Sequence, residues 1–467
     1  MQRMLFACLT FLVVWAGLVS QADATETLRF GRFGEVTLYH KTPQPTHVVL
    51  FVSGDGGWNL GVINMARNLA NLDALVVGID INHYLRELAK GKGKCSYPAA
   101  DFEELSKFVQ KSLGFPHYVM PVLVGYSSGA TLVYATLVQA PANTFRGAIS
   151  LGFSPDLSIS KPFCRGGGLR AEPIPQGKGF NFLPAPGLSA PWVVLQGAID
   201  QVCNAETAKV FAKKVGNAQF VLLPGVGHGF SVQKHWLPQF RQAFDRLVRS
   251  DAASPVTPRE KDLADLPLVE VAPANNSGKT LAVIVSGDGG WASLDREVGD
   301  ELARRGIAVV GLNALQYFWT ARQPDGMARD LARILDYYLA AWHKERVLLI
   351  GYSLGADVLP FMVSRLPVEL LDKVTKLVML GPSQQTSFEF HLSDWLGTSS
   401  HKSDRPLRPE VEKIKGPQIL CLYGQAEEES LCRDNMPADL EWKAIAMPGG
   451  HHFDGNYKAL ANIILQP

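Results

Sequence analysis

The sequence predicts a tandem duplication of one α/β domain, each copy a mostly parallel sheet with helices on both faces. Three observations predict it: one series of motifs occurs twice, short apolar runs alternate with amphipathic segments, and a G-x-S-x-G sequence follows an apolar run in each copy. A length of 467 residues suits two domains. With 47% hydrophobic and 19% charged residues, the composition excludes a disordered chain, and a formal charge of +1 gives no bulk attraction to nucleic acid.

The first 24 residues have the pattern of an export signal. Arg3 gives a basic start, residues 5–19 are nearly all apolar, and residues 22–24 (A-D-A) form a small-x-small cleavage site. The apolar run is short for a membrane span of about 20 residues, so we expect cleavage after Ala24 in preference to an anchor. The mature protein is therefore predicted to be periplasmic.

The duplication is read from motifs that return in the same order. Residues 52–58 (V-S-G-D-G-G-W) recur at 285–291, residues 125–130 (G-Y-S-S-G-A) at 351–356 (G-Y-S-L-G-A), and residues 227–230 (G-H-G-F) at 450–453 (G-H-H-F). A repeat longer than 200 residues indicates duplicated domains and not a solenoid. We predict a first domain over 25–250, a small, polar, Pro-containing linker over 251–262, and a second domain over 263–467.

Each unit alternates buried-strand and helix patterns. Nearly uninterrupted apolar runs suit strands that are covered on both faces of a parallel sheet. They lie at 48–52, 75–79, 121–124, 148–151 and 192–196, and again at 281–285, 308–312, 347–350, 377–380 and 418–422. Between them, segments such as 295–305 and 327–341 have the spacing of amphipathic helices.

The G-x-S-x-G sequences predict two nucleophiles, Ser127 and Ser353. Each follows an apolar strand and precedes a helical stretch, which is the pattern of a nucleophile elbow. The serine would then stand at a helix N-terminus, where amides favour an oxyanion. A serine that merely caps a helix in a Gly-rich turn is the alternative.

In the first unit, the acid and base of a catalytic triad are predicted at Asp200 and His228. Both follow apolar strands, at 192–196 and 220–223, and so lie at the same sheet edge as Ser127. The chain order Ser, Asp, His is that of α/β-hydrolase-like domains. The imidazole would take the serine proton and the carboxylate would hold the imidazole tautomer.

In the second unit, the corresponding residues are Glu427 and His451. Glu428 and Glu429 remain alternatives for the acid, since counting from the preceding glycine selects Glu427 and counting back from the following cysteine selects Glu429. His452 remains an alternative base, but His451 keeps the position two residues before the phenylalanine.

The S-G-D-G-G-W loops are predicted to supply one amide of each oxyanion hole, because they follow the first parallel strand. The predicted donors are Gly54, Asp55 and Ser128 in the first unit and Gly287, Asp288 and Leu354 in the second. An aspartate is unexpected in a site for negative charge. Either it caps a turn or helix, or it binds a cationic group of a substrate, as we suggest for Asp288.

Aromatic and cysteine residues complete the predictions. Tyr317, Phe318 and Trp319 follow a strand and would line an apolar substrate channel, with core packing as the alternative. Disulfides are expected between Cys421 and Cys432 and between Cys164 and Cys203, which leaves Cys95 free. No Cys/His cluster has metal-ligand spacing, so we expect no metal and no cofactor.

The doubled S-G-D-G-G-W, the G-Y-S-x-G elbows, the G-H-H-F ending and the leader resemble the VirJ/AcvB family of bacterial virulence proteins over essentially the whole mature chain. The resemblance implies an α/β-hydrolase fold, a periplasmic location and hydrolysis of lysyl- or alanyl-phosphatidylglycerol at the membrane surface. It also implies catalytic roles for Ser353, an acid among residues 427–429 and His451. It favours the second unit where only one is active, although Ser127, Asp200 and His228 fit the motif as well.

Three functions therefore compete. The first is an esterase acting on an aminoacyl phospholipid, and the second is an esterase or lipase for another ester. The third is a non-catalytic periplasmic adaptor that helps a secretion system pass its substrates. An acid and a histidine in both halves favour an enzyme, because a binding module has no need of them.

Overall fold

The computed structural model describes residues 26–175, 178–249, 263–273, 275, 278–389 and 404–466. The predicted signal peptide and linker lie outside these residues. Among the described residues, no helix combines the length and the apolar character needed to cross a bilayer.

The first unit is built on one long sheet with helices between its strands. The strands of this sheet are β1 (Glu26–Phe30), β2 (Gly34–Tyr39), β3 (His47–Val52), β4 (Ala74–Ile79), β5 (Val122–Tyr126), β6 (Gly147–Leu151), β10 (Trp192–Gly197) and β11 (Ala218–Leu223). A small separate sheet contains β7 (Asp156–Leu157), β8 (Ala171–Pro173) and β9 (Phe180–Phe182). The helices are α1 (Leu60–Ala70), α2 (Ile81–Ala89), α3 (Pro98–Ser112), α4 (Ser128–Gln139), α5 (Ala205–Ala212) and α6 (Leu237–Arg249).

The second unit repeats this plan. Its main strands are β12 (Leu268–Val271), β13 (Thr280–Val285), β14 (Ala308–Leu312), β15 (Arg346–Tyr352), β16 (Val374–Leu380), β19 (Gln418–Gly424) and β20 (Trp442–Met447). The short strands β17 (Gln385–Thr386) and β18 (Arg405–Pro406) pair with each other. The helices are α7 (Ser293–Arg304), α8 (Ala314–Tyr317), α9 (Pro324–Ala341), α10 (Leu354–Val363), α11 (Val368–Leu371), a short helix Arg408–Val411 and the final helix Tyr457–Ile464.

The two large sheets have one topology. Their strand orders are β1-β2-β4-β3-β5-β6-β10-β11 and β12-β14-β13-β15-β16-β19-β20. Within the first, β4 to β11 pair in parallel and β2 runs antiparallel to β4. In the second, β12 takes the antiparallel place of β2. This is the α/β-hydrolase arrangement, so the fold prediction is confirmed in both units.

Each sheet is covered on both faces by an apolar core. The strands β4, β6 and β14, which consist of apolar residues and glycines apart from Ser150 in β6, are buried at every residue. Strands buried on both faces cannot alternate polar and apolar side chains, and the sequence patterns reflect this. Because all the parallel strands of a unit end at one edge, the loops that follow β5, β10 and β11, or β15, β19 and β20, meet there.

The S-G-D-G-G-W motif is explained by packing at this edge. Its serine hydroxyl accepts the amide of Ile81 or Ala314, which holds the first turn of α2 or the start of α8. Its last glycine has a positive φ, +74° at Gly57 and +78° at Gly290. Its tryptophan ring covers a glycine of the neighbouring strand, where a Cβ would overlap the ring. The motif therefore fixes the loop beside the nucleophile in both units.

The cysteines pair differently from one of our predictions. Cys421 and Cys432 form the predicted disulfide, whereas Cys164 pairs with Cys95, and Cys203 is a buried free thiol. The prediction of a Cys164–Cys203 bond is therefore wrong. A parallel bridge between Ser96 and Phe163 brings Cys95 beside Cys164, a long-range contact that cysteine spacing does not show.

Removing a disulfide is expected to cost more for the longer loop. The Cys95–Cys164 bond spans 69 residues and the Cys421–Cys432 bond spans 11. By the loop-entropy relation, Cys95→Ser should lower the free energy of unfolding by about 4 kcal/mol and Cys432→Ser by about 3 kcal/mol. Denaturant unfolding of the oxidised proteins measures both, with Cys203→Ser as the control. A larger loss for Cys203→Ser than for Cys95→Ser would contradict the pairing.

The two units pack against each other through Trp319. Its indole N–H donates to the carbonyl oxygen of Phe115 at 2.7 Å, and its ring lies against Tyr118. The ammonium of Lys111 donates to the Trp319 carbonyl oxygen at 2.5 Å and lies over the indole ring. A tryptophan of the second unit therefore fixes the end of α3 in the first.

Candidate active site

Both predicted nucleophiles lie in strained turns between a strand and a helix. Ser127 has φ 55° and ψ −124°, and Ser353 has φ 52° and ψ −121°, a conformation that L-residues rarely adopt. The glycine before each serine is required by contact, because a Cβ on Gly125 or Gly351 would overlap the backbone of the second glycine of the motif, which lies in the first turn of the helix. The turn raises the serine above the sheet edge, as in a nucleophile elbow.

The first unit holds a closed triad. Ser127 Oγ lies 3.0 Å from His228 Nε2, and His228 Nδ1 lies 2.9 Å from Asp200 Oδ2. The other oxygen of Asp200 accepts the amides of Val202 and Cys203, which fixes the carboxylate. The structure therefore brings together the three predicted residues of this unit, with the imidazole positioned to take the serine proton.

The second unit selects Glu427 from its three adjacent glutamates. Glu427 Oε1 lies 2.5 Å from His451 Nδ1, and its Oε2 accepts the Gly424 amide at 2.5 Å. Glu428 and Glu429 are exposed. Among the described residues, Ser353 Oγ makes no hydrogen bond to His451, so this triad is joined at the acid–base contact and open at the nucleophile. Catalytic hydrogen bonds often tighten only when substrate binds.

His452 has a separate position. Its Nδ1 lies 2.8 Å from the hydroxyl of Tyr352, the residue before the nucleophile. The same hydroxyl lies 3.3 Å from the carbonyl oxygen of His451, as the Tyr126 hydroxyl lies 2.9 Å from that of His228, and in the first unit Gly229 stands where His452 would be. His451 is therefore the histidine that meets the acid, as the sequence predicted.

The charges around His451 favour its protonated form. The hydrogen bond that His451 donates to Glu427 raises the pKa of His451 above its ordinary value in spite of burial, and the charges of Glu427, Asp288 and Asp357 add to the rise. Burial works against the charged form of Glu427, but the hydrogen bonds from His451 and the Gly424 amide outweigh it and hold the pKa of that carboxyl low. Burial and the charge of His451 lower the pKa of His452.

The two adjacent histidines should therefore titrate on opposite sides of pH 6.5. In the folded protein, the imidazole of His451 should lose its proton above the ordinary value and that of His452 below it. Because its folded pKa is raised, the His451–Glu427 pair stabilises the fold at low pH and loses that contribution as pH rises through the His451 pKa. NMR titration of labelled imidazoles measures this, with Glu427→Gln expected to lower the His451 midpoint. A His451 midpoint below that of His452 would contradict the assignment.

The predicted oxyanion loops lie beside the nucleophiles. A Cβ built on Gly54 would come within 2.9 Å of Ser127 Cβ, and one on Gly287 within 3.5 Å of Ser353 Cβ. Ser128 and Leu354 are the first residues of α4 and α10, so their amides have no acceptor within their helices. The amide of Gly287 is turned to Asp295 Oδ2 at 3.4 Å, so of the two predicted donors of that loop we expect the Asp288 amide to meet an oxyanion.

The loop aspartates do not act as caps. Asn59 caps α1, and within the described part of the chain no side chain caps α7. Among the described residues, neither Asp55 nor Asp288 accepts a hydrogen bond on its carboxylate. The capping interpretation of these two residues is therefore wrong, and the charge of Asp288 is left to act on the site.

The predicted channel aromatics are packed elsewhere. The hydroxyl of Tyr317 donates to Asp330 Oδ2 at 2.5 Å, and Phe318 lies in the core of the second unit. Trp319 lies between the units, as described above. The prediction that these three residues line a substrate channel is therefore wrong, because the loop after β14 turns away from the sheet edge into α8 and the inter-unit contact.

A cavity of about 1480 Å³ opens above the second nucleophile and lies between the two units. Ser353, His451, Asp288 and Asp295 lie on its second-unit side. Its first-unit side combines apolar residues such as Leu137 and Leu188 with the charged Glu103 and Arg170. The nucleophile of the second unit thus faces a chamber that the first unit helps to build, whereas Ser127 and His228 are not part of its lining.

Two buried carboxyl groups near Ser353 were missed in the sequence. Asp357 lies on α10 and accepts the Ser383 amide at 2.7 Å, and burial raises the pKa of this carboxyl to about 7. Asp295 is 3% exposed on α7. At the offsets of the repeat their counterparts are Thr131 and Val62, so a comparison of the two halves would have revealed them.

Asp200, Cys203 and His228 place potential metal-ligand atoms within 4.8 Å of one another. Two of the three already form the acid–base contact of the triad. Burial raises the pKa of the Cys203 thiol to about 12, which disfavours the thiolate that a metal requires. We therefore assign this cluster to the triad.

Comparison with protein-family models gives a match in each of the two units. A family model described as bacterial virulence protein (VirJ) matches residues 46–151 and 279–467. A search of curated proteins gives no match.

Solved structures that resemble this chain each correspond to about half of it. A putative dienelactone hydrolase from Klebsiella pneumoniae is 15% identical, with 48% of this chain and 98% of that chain covered and a TM-score of 0.36. An esterase from Thermogutta terrifontis is 16% identical, with 50% and 95% covered and a TM-score of 0.35. An α/β serine hydrolase without lid from Xanthomonas campestris is 21% identical, with 51% and 98% covered and a TM-score of 0.32. At these scores we draw no functional conclusion from them.

Proposed function

Since the chain belongs to the bacterial virulence protein (VirJ) family and holds a serine, a histidine and a carboxylate in order in each unit, we propose that it is a serine esterase. The observation that carries the proposal is the set of contacts Ser127–His228–Asp200 and His451–Glu427, built at strained elbows. Strain of this kind persists where the surrounding structure enforces it, and it clusters at functional sites.

The reaction follows from the positions of these groups. As the serine oxygen attacks the ester carbonyl, its proton passes to Nε2 of the histidine, and the new oxyanion is met by the amides of Asp288 and Leu354 in the second unit. Collapse expels the alcohol, which takes the proton from the imidazole, and leaves an acyl-serine. Water then attacks the acyl-serine by the same route, releasing the acid and restoring the serine.

For the substrate we propose an aminoacyl-phosphatidylglycerol, the class that the family resemblance implies. The cavity above Ser353 supports it, since it is large and has acidic groups on the second-unit side, close to where an acyl group would be cleaved. Apolar residues of the first unit offer a wall for the acyl chains, and Arg170 offers a guanidinium group for a phosphodiester. Hydrolysis would release the amino acid and phosphatidylglycerol.

The proposed setting is the periplasm, where such lipids meet an exported enzyme. The export signal read from the sequence and the two disulfides support an oxidising compartment. There, removal of aminoacyl groups would restore the anionic charge of the membrane surface, which links the activity to lipid homeostasis and virulence.

Labelling of nucleophilic serines with a fluorophosphonate distinguishes an esterase from a non-catalytic adaptor. We expect the wild-type protein to be labelled on both Ser127 and Ser353, with one site lost in each single alanine variant and both lost in the double variant. Peptide mass spectrometry assigns the sites, and heat-denatured protein is the control. An unlabelled native wild type would favour the non-catalytic adaptor for a secretion system.

A further inference from the structure

Asp295 lines the cavity above Ser353 and carries a buried carboxyl oxygen that is unsatisfied. Asp295 is 3% exposed, and among the residues that the structure describes its Oδ1 has no hydrogen-bond partner, while Oδ2 accepts a long contact from the Gly287 amide at 3.4 Å. A buried carboxyl oxygen without a partner is costly, and native proteins rarely keep one without a reason. The residue lines the cavity that contains Ser353.

Asp295 lies close to Ser353, the proposed nucleophile. The carboxyl group of Asp295 contacts Gly287, and Gly287 in turn approaches Ser353, where a Cβ on the glycine would lie 3.5 Å from the serine Cβ. Asp288 follows in the same loop and lies near enough for its charge to act on Asp295 and on His451. Two carboxyl groups thus flank the place where an ester carbonyl must sit.

The Lys107 ammonium of the first unit contacts the carbonyl oxygen of Asp288 at 3.5 Å and forms an ion pair with Glu103. Among the described residues, neither Asp288 nor Asp295 forms an ion pair through its side chain, and the nearby Arg296 pairs with Asp300. Burial raises the pKa of the Asp295 carboxyl well above its usual range, and the charge of Asp288 adds to the rise. A cation bound between them would stabilise the ionised form of both.

The first unit has no such arrangement. At the repeat offset, Asp295 corresponds to Val62, which is 2% exposed and belongs to the apolar core of that unit. Asp55, which corresponds to Asp288, is exposed. The second unit therefore has an acid beside its nucleophile where the first unit has a core valine.

We propose that Asp295 and Asp288 form a subsite for the α-ammonium group of the acyl part of the substrate, with Asp295 as the specificity-determining residue. This inference rests on the esterase function proposed above and goes beyond it by assigning the group that recognises the amine. An α-ammonium lies two bonds from the ester carbonyl carbon, which matches carboxyl groups that adjoin the oxyanion loop. A fatty acyl or acetyl ester has no group to fill this place.

The test compares two esters that differ only in the amine. In a Ser127→Ala background, kcat/KM is measured for alanine methyl ester and for methyl propionate, with and without Asp295→Asn. The Asn side chain can still accept the Gly287 amide, and any disturbance of the oxyanion loop affects both esters, so it cancels in their ratio. We expect Asp295→Asn to lower the ratio of kcat/KM for alanine methyl ester to kcat/KM for methyl propionate about 10- to 100-fold. An unchanged ratio would overturn the subsite.

A control variant and a binding measurement distinguish failure of the proposed subsite from failure of the proposed esterase function. Asp336→Asn makes the same chemical change at an exposed position on α9 and should leave the ratio unchanged. If neither ester is cleaved in the Ser127→Ala background, the proposed esterase function of Ser353 fails. The subsite is then tested by measuring ligand binding. NMR titration of Ser353→Ala with alanine methyl ester should then show weaker binding when Asp295→Asn is added, and equal affinity would overturn the inference.

Discussion

Replacing Ser353 by alanine is expected to reduce hydrolysis of lysyl-phosphatidylglycerol by a factor of about 10⁴ to 10⁶, because removal of the nucleophile leaves only binding and the oxyanion donors. Ser353 is the nucleophile that faces the large inter-unit cavity, whereas Ser127 is not part of its lining. The effect is measured as the rate at which free lysine is released from lysyl-phosphatidylglycerol in detergent micelles.

Ser127→Ala is the matched control, since it makes the same change at an elbow of the same geometry. It should change turnover of the lipid by no more than a few-fold, even though Ser127 belongs to a closed triad. A large loss in Ser127→Ala together with an active Ser353→Ala would move the lipid reaction to the first unit.

Glu427→Gln is expected to lower kcat by about 10³ to 10⁴, because an amide cannot hold His451 in the tautomer that accepts the serine proton, nor stabilise the imidazolium. The pH at which activity rises, on the acid side of the pH–activity profile, should also change. A general base works in its neutral form, so activity rises with pH through the His451 pKa, which Glu427 holds above its ordinary value. Without the carboxylate, that rise should occur at a lower pH.

Glu428→Gln and Glu429→Gln are the controls for this prediction. Both residues are exposed neighbours of Glu427, and each variant should keep kcat within about twofold. A loss in either control as large as that in Glu427→Gln would show that the acid had been assigned to the wrong glutamate.

The triads could be predicted because their signals are local. Each functional residue follows a buried strand, and parallel strands bring such loops to one edge whatever the details of packing. The choice of Glu427 over its neighbours rested on its distance from Gly424, and in the structure the Gly424 amide binds that carboxylate. The sequence spacing thus reflected a real contact.

The wrong predictions depended on contacts between distant segments. Cys95 meets Cys164 through a bridge across 69 residues, and Trp319 meets Phe115 and Tyr118 of the other unit. Neither contact leaves a periodic or spacing signal. Asp295 looked like an ordinary acid in the first turn of a helix, and only its burial and its unpartnered oxygen distinguish it.

The inter-unit cavity also could not be predicted, because the repeat indicates two similar domains and says nothing of how they pack. It gives the duplication a physical consequence, since the first unit supplies a wall of the chamber in which Ser353 lies. Two copies of one fold can therefore line one cavity while each keeps its own serine, histidine and acid.

The most direct test of the central claim is to incubate the purified wild-type protein with lysyl-phosphatidylglycerol in detergent micelles and to separate the lipids by thin-layer chromatography. We predict that phosphatidylglycerol and free lysine appear in equal amounts. An intact lysyl lipid, with Ser127 and Ser353 both labelled by a fluorophosphonate, would contradict the proposed substrate while leaving a serine hydrolase of another ester.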